Sequence, residues 1–251
     1  MKILTCSSLY KTYRKKLFSK ASPPALHGLD LSIDSGETVG IIGPNGAGKS
    51  TLIKSIMGFV SVDSGSIKIN DRTPADPSSR INIGYLPEIC CLYENLSITE
   101  HFKFASQVSG IPTTTTHLKT QEVLHLVKLE HVASQPIRKF SKGMKQRAAL
   151  ALALLTDPKI LILDEPMSGL DPLGRQIVID IVRKFKDMGT TILFCSHVLN
   201  DVERICDRIG IMDQGRIVHQ TSPIELETQH CDRPPHLTPL EACFLTAVSP
   251  N

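Results

Sequence analysis

No stretch of this chain is long and apolar enough to cross a bilayer. The longest purely apolar run, Ala148 to Leu155, falls far short of the roughly 20 residues that a spanning helix needs. The N-terminus, Met1-Lys2-Ile3-Leu4, lacks the extended apolar region and cleavage site of a secretory leader. A framework of disulfides or zinc is missing too. The seven cysteines are odd in number, form no C-x-x-C pair and are scattered apart from Cys90-Cys91, so reduced thiols are expected. Charge of one sign is scarce: the net charge is +3, and the densest basic cluster is Arg14-Lys15-Lys16, which reads as a solvated loop. No nucleic-acid partner is expected from that balance. No internal repeat is visible, so the chain is not a tandem pair. These absences point to a soluble chain in the cytoplasm.

What is present supports a sizeable core. Of 251 residues, 41% are hydrophobic and 21% charged, enough for one large or two small domains. The most informative segment is Gly43-Pro44-Asn45-Gly46-Ala47-Gly48-Lys49-Ser50, which matches G-x-x-x-x-G-K-[ST]. The apolar run Thr38 to Ile42 precedes it, and Leu52, Ile53, Ile56 and Met57 follow at helical spacing. Strand, glycine loop and helix in that order form a cradle of inward-pointing N–H groups for phosphate at a helix N-terminus. Lys49 is then expected to reach the β- and γ-phosphates, and the Ser50 hydroxyl to ligate Mg²⁺. Thr51 belongs to the same nucleotide-binding set.

Further along, Ser66 to Asn70 alternates like a half-buried strand, Arg72 to Ser79 reads as an exposed loop, and Ile81 to Leu86 as another strand. From Asn95 to Leu155 the periods become helical, with Thr113 to Thr116 as a polar break. The α/β alternation resumes at Lys159. Ile160-Leu161-Ile162-Leu163 and Thr190 to Phe194 are buried-strand candidates, separated by a helix from Pro172 with Asp171 as its N-cap. Ile209 to Met212 and Arg216 to Val218 flank a glycine-containing turn. The four apolar residues from Ile160 end in Asp164-Glu165, at the strand end where ligands collect in open α/β sheets. Asp164 is expected to hold Mg²⁺, and Glu165 to take a proton from the attacking water.

The segment Phe140-Ser141-Lys142-Gly143-Met144-Lys145-Gln146-Arg147 resembles the signature loop of the ATP-binding cassette (ABC) family, usually Leu-Ser-Gly-Gly-Gln. Ser141 and Gly143 match, whereas Phe140, Lys142 and Met144 depart from the commonest form. Ser141 also suits a helix N-cap. The resemblance extends to Tyr13, similar to the aromatic that stacks on adenine, although Tyr10 lies close by. It extends to Ser168-Gly169-Leu170-Asp171, similar to the loop between two cassettes, and to His197, similar to the switch histidine that donates to the γ-phosphate. Glu88, after Gly84-Tyr85-Leu86-Pro87, stands where the family usually has glutamine. Leu-Pro-Glu together with Ser-Lys-Gly-Met resembles a subgroup commonly paired with export permeases.

That resemblance implies an α/β fold: a P-loop NTPase (RecA-like) core with an antiparallel β subdomain and an α-helical insert. The cassette is expected over 1–228, with its core in 1–88 and 157–228 and the helical part in 89–156. Residues 229–251 would form a tail carrying a short closing helix. It implies an ATPase that binds ATP and Mg²⁺. Lys49, Glu165 and His197 would serve catalysis. Tyr13, Gly43 to Thr51, Glu88, Ser141, Gly143 and Asp171 would touch nucleotide, and Ser50, Asp164 and Glu88 would face the metal. The implied partners are a second cassette, identical or not, and separately encoded transmembrane permeases, with this chain peripheral on the cytoplasmic face of the cell membrane. Permease helices would dock near Glu88 to Glu100, where Cys90, Cys91, Leu92 and Tyr93 either line the groove or pack inward. The competing reading is a soluble cassette ATPase acting on ribosomes or DNA.

Overall fold

Continuous apolar runs in this chain become strands buried on both faces. The computed structural model describes residues 1–13, 23–229, 234 and 236–248. The Arg14-Lys15-Lys16 cluster and parts of the C-terminal tail lie outside the described residues. Two compact units divide the chain, one of residues 1–81 and 193–251, the other of 82–192. The first unit opens with β1 (Lys2–Lys11), β2 (Leu26–Asp34), β3 (Thr38–Ile42), α1 (Lys49–Ile56) and β4 (Ser64–Ile69). The second carries β5 (Ile83–Leu86), α2 (Ile98–Val108), α3 (Thr113–Val127), α4 (Lys142–Leu154), β6 (Ile160–Asp164) and α5 (Pro172–Asp187). β7 (Thr191–Ser196) leads back into the first unit, which continues with α6 (Leu199–Ile205), β8 (Arg208–Asp213), β9 (Arg216–Thr221), α7 (Pro223–Gln229) and α8 (Pro239–Val248).

In the first unit, β2, β1 and β4 form an antiparallel sheet in that order. Leu4, Cys6 and Leu9 of β1 are buried along with Leu29, Leu31 and Ile33 of β2 and Ile67 and Ile69 of β4. Leu9 breaks the strict alternation. The register with β2 shifts between Cys6 and Leu9, where Ser8 adopts φ 47° and donates its N–H to Asp30 Oδ1 at 2.8 Å. Such a bulge re-aims the next side chain, which here goes inward. β3 pairs parallel with β8, from Val39 opposite Arg208 to Ile42 opposite Ile211, and β8 pairs antiparallel with β9. All five residues of β3 are buried, as parallel strands covered on both faces require. α6 covers β3 so closely that a Cβ on Gly40 would lie 2.4 Å from Val202 Cγ1. The Arg208 guanidinium forks onto Glu37, with Nε to Oε1 at 2.7 Å and Nη2 to Oε2 at 3.0 Å, and so ties the β2–β3 turn to β8. At the C-terminal end, α8 packs against α6, α7, β8 and β9, with Leu240 and Cys243 buried.

In the second unit, β5 runs parallel to β6 from Ile83 opposite Ile160 to Leu86 opposite Leu163. α4 lies over β5, and a Cβ on Gly84 would sit 2.2 Å from the Ala153 carbonyl oxygen. α2 starts with a capping box: Ser97 Oγ accepts the Glu100 N–H at 3.2 Å, and Glu100 Oε2 accepts the Ser97 N–H at 2.7 Å. Inward-facing Phe102, Val123, Val127, Leu150 and Leu154 are fully buried, each aliphatic one worth roughly 1.5–3 kcal/mol against exposure.

Two local expectations are corrected. Thr113 to Thr116 is not a break but the first turn of α3, because Pro112 is extended and the Thr116 hydroxyl donates to the Pro112 carbonyl at 3.0 Å. β5 begins at Ile83 and not at Ile81: the Asn82 carbonyl is taken by the N–H groups of Lys159 and Ile160 at 2.9 and 3.1 Å, and Ile81 is left exposed. β1 and α6, unmarked by strong motifs, went unread in the sequence.

Candidate functional site

The glycine loop sits in the first unit between β3 and α1, and three glycines shape it differently. A Cβ on Gly43 would fall 2.1 Å from the Met212 carbonyl oxygen at the end of β8. Gly48 has φ 108°, and a Cβ there would fall 2.2 Å from the Ala25 carbonyl oxygen. Gly46, at φ 85°, has nothing within 4 Å of where its Cβ would stand. The loop is therefore pressed against neighbouring backbone at both ends and open at its crest. Ala47 closes its floor, its N–H on the Pro44 carbonyl at 3.1 Å and its own carbonyl accepting the Gly215 N–H at 2.9 Å.

α1 begins at the end of this loop with no side-chain cap and no acidic residue in its first turn. Uncapped amides and the positive end of the helix dipole favour an anion there. Lys49 is buried, and its ammonium donates to the Gly43 carbonyl at 2.6 Å and the Pro44 carbonyl at 3.1 Å. A cation folded against the loop's own carbonyls is positioned to exchange those weak dipoles for phosphate oxygens. Ser50 and Thr51 follow it, half-buried, while Asn45 and Gly46 are exposed.

Tyr13 is 44% exposed, with Lys11 Nζ 5.9 Å from its ring centroid. Tyr10 is committed otherwise, tilted against His27 at 5.7 Å and lying over Gly28. Tyr10 is nearly as exposed, at 41%, so exposure does not separate the two. His197 is exposed just beyond β7. Tyr13, the loop and His197 belong to the first unit.

Glu88, Ser141, Gly143, Asp164, Glu165 and Asp171 belong to the second. Asp164 closes β6 and is buried, as is Glu165 at 8% exposure. Glu165 adopts φ 50°, a left-handed conformation uncommon for a residue with a Cβ. The turn after it is ordered by Ser168 N–H on the Glu165 carbonyl at 3.0 Å and Leu170 N–H on Met167 at 3.2 Å. Asp171 caps α5, its Oδ1 accepting the Gly174 N–H at 2.7 Å. Ser141 caps α4, its Oγ accepting the Met144 N–H at 3.2 Å. The structure brings these two capped helix starts together. Ser141, Gly143, Arg147, Leu170 and Asp171 line one cavity of about 320 Å³. A Cβ on Gly143 would be 3.3 Å from Leu170 Cδ2, and one on Gly169 would meet the Lys142 side chain at 2.6 Å.

Glu88 is exposed after β5. In the segment that follows, Ile89, Cys91 and Tyr93 are exposed, while Cys90 and Leu92 are half-buried. Tyr93 stacks on His101 at 5.9 Å and donates its N–H to His101 Nε2 at 2.9 Å. Burial pushes the Cys90 thiol up to about 11. One residue was quoted within the signature segment yet assigned no role. Gln146 is buried in α4, its Nε2 on the carbonyls of Glu165 and Pro166 and its Oε1 on Cys90 Sγ. Its signal was a polar side chain on a helix face otherwise occupied by Ala149, Leu150 and Ala153.

Comparison with known proteins bears on all these elements together. The family model described as ABC transporter matches residues 26–168. An uncharacterized ABC transporter ATP-binding protein from Nostoc sp. is 40% identical over 226 residues, covering 89% of this chain and 68% of the relative. A lantibiotic transport ATP-binding protein from Streptococcus pyogenes is 38% identical over 216 residues, 86% of this chain and 89% of the relative. Among solved structures, an ATP-binding subunit of an ABC transporter superposes with TM-score 0.86 at 31% identity, covering 98% of this chain and 100% of its own. A dimeric bacterial ABC transporter cassette superposes with TM-score 0.80 at 25% identity, over 88% of this chain and 98% of its own. With the glycine loop, the buried Asp164-Glu165 strand end and the capped Ser141 helix on one such scaffold, the chain belongs to the ABC transporter family, as an ATP-binding subunit with ATPase activity.

Proposed function

We propose that this subunit works as one half of a head-to-tail cassette pair that drives separately encoded permease subunits in export. ATP would be held between the Gly43–Thr51 loop of one cassette and the Ser141–Gly143 segment of the other. The observation that carries this reading is the cavity at the start of α4. Its lining brings Ser141 and Gly143 at the start of α4 together with Asp171 at the start of α5, two helix starts that offer polar groups to an anionic ligand. The dimeric assembly of the solved cassette agrees with that use.

The donor set fits Mg²⁺. A hydroxyl at Ser50 and carboxylates at Asp164 and Glu88 are hard oxygen ligands, and Mg²⁺ takes one or two carboxylates together with substrate phosphates. When bound, the ion would neutralise charge developing on the transferred phosphoryl group. The chain's own residues do the rest. Lys49 leaves its two carbonyls for the β- and γ-phosphates, and the amides at the start of α1 take the remaining oxygens. Glu165 accepts the proton of the water that attacks the γ-phosphorus. The bond to the β–γ bridging oxygen breaks, and ADP and phosphate leave. His197 donates to the γ-phosphate, and Tyr13 stacks on the adenine. Glu88 orients water or metal in place of an amide. Hydrolysis persists in a Glu88→Gln variant, changed by no more than about threefold; a markedly higher steady-state rate would identify the Glu88 charge as inhibitory.

Export is supported by the combination of Leu86-Pro87-Glu88 and Ser141-Lys142-Gly143-Met144, and by the lantibiotic transport relative. Among the described residues no helix is long and apolar enough to cross a membrane. The similarity to proteins named as ATP-binding subunits of transporters supports a permease on other chains, on whose cytoplasmic side this one would sit. Ile89, Tyr93, Phe104 and Val108 of the second unit expose apolar surface of the kind a permease helix would cover. Affinity capture of the tagged full chain from its own cells should retain a polytopic membrane protein after detergent solubilisation. Retention of ribosomes or DNA in its place would overturn the transport assignment.

A further inference from the structure

Gln146 is 4% exposed, and its amide commits every strong polar atom to two other segments of the same unit. Nε2 donates to the main-chain carbonyls of Glu165 and Pro166, each at 3.3 Å, and Oε1 accepts from the Cys90 thiol at 2.9 Å. A carbonyl oxygen can only accept, and the thiol has a hydrogen to give, so Nε2 faces the two carbonyls and Oε1 the thiol. Glu165 stands at φ 50°, a conformation that persists only where the surroundings hold it. The Gln146 amide is one such holder, since it grips the carbonyl of the Glu165–Pro166 peptide bond and the next carbonyl along, that of Pro166. Cys90 lies two residues beyond Glu88, so the same side chain reaches the segment that carries the unusual glutamate.

We propose that Gln146 is a positioning residue for ATP hydrolysis, which holds the Glu165 main chain in its left-handed turn and couples it to the segment after Glu88 through the Cys90 thiol. The inference rests on Glu165 being the base. Its physical content is angular. The Glu165 carboxylate swings on its own φ and ψ, and relaxing that turn moves the oxygen away from the water it must deprotonate. A displacement of about 1 Å at a reacting group is enough to cost on the order of 100-fold in rate. Nucleotide binding, which relies on the phosphate loop, should barely respond.

Steady-state ATPase of the purified full chain, measured over a range of ATP concentrations with melting curves as the folding control, tests this. Gln146→Met fills the same volume without hydrogen bonds and should lower kcat by about 10- to 100-fold with KM for ATP within about twofold. Gln146→Ala should do the same, and where it fails to fold the methionine variant decides. Cys90→Ala should lower kcat by about three- to tenfold, whereas Cys90→Ser, which restores a donor to Oε1, should recover at least about half the wild-type kcat. An unchanged kcat in Gln146→Met, or a KM that rises as much as kcat falls, overturns the positioning role. Equal impairment in Cys90→Ser and Cys90→Ala overturns the coupling through the thiol. Glu165→Gln separates the two readings. If it retains full kcat, the base assignment fails and the proposal with it. If it is inactive while Gln146→Met runs at full rate, the proposal alone fails.

Discussion

Replacing Glu165 by glutamine should lower ATP turnover by about 10²- to 10⁴-fold, the range a positioned general base contributes, while leaving ATP binding intact. The amide matches the carboxylate in shape and so keeps the buried turn, where the Ser168 N–H and the Gln146 Nε2 both bond main-chain carbonyls and not the residue-165 side chain. What it loses is the ability to take a proton. A cassette that binds ATP and cannot cleave it should then accumulate in the closed form, because ATP supplies charge that both facing surfaces bind. Light scattering with Mg²⁺ and ATP should report a doubled mass for Glu165→Gln, reversed on exchange to ADP. Phosphate release in single-turnover conditions measures the chemical step directly. Turnover at the wild-type rate would remove Glu165 from the mechanism. A monomer at saturating ATP would remove the head-to-tail pair.

A second large effect is expected from a single methyl group. Gly48→Ala must place a Cβ 2.2 Å from the Ala25 carbonyl oxygen and 2.7 Å from Met212 Cε, at a φ of 108° that side-chain-bearing residues rarely adopt. Backbone cannot yield as a flexible side-chain tip can, so the loop must reopen and α1 must lose its start. A conformation of this kind costs on the order of 1–3 kcal/mol before the clash is added. We expect ATP affinity to fall by about 100-fold or more with a lowered melting temperature, the loss corresponding to roughly 2.7 kcal/mol. Gly46→Ala supplies the internal comparison. It also sits at positive φ, yet nothing lies within 4 Å of its Cβ position, so it should cost distinctly less. Equal losses at the two positions, measured by nucleotide titration and thermal melts, would show that close approach of backbone is not what Gly48 permits.

Where the chain's own local chemistry decided a feature, the sequence could be read directly. Asp171 ahead of Pro172 predicts a capped helix, and the carboxylate does accept the Gly174 N–H at 2.7 Å. Ser141 likewise caps α4. The apolar runs Thr38–Ile42 and Ile160–Asp164 become strands buried along their whole length, and the glycine loop lies where strand gives way to helix. Reading failed where a residue's fate depended on distant partners. The threonine run at 113 has poor helix propensity, and one hydroxyl bond to Pro112 together with packing against α4 outweighs it. Gln146 gave the sequence only an unplaced amide.

By itself the sequence determined the nucleotide loop, the strand ending in Asp164-Glu165, the helix caps and membership of the cassette family, because each depends on residues adjacent along the chain. Only the tertiary structure decided that Ser141 and Asp171 share a cavity, that Gly43 and Gly48 are pressed on the backbone of Met212 and Ala25, and that one buried glutamine joins Cys90 to the Glu165 turn. Those pairings are set by which faces pack together, and partners far apart in sequence leave no local trace of their meeting.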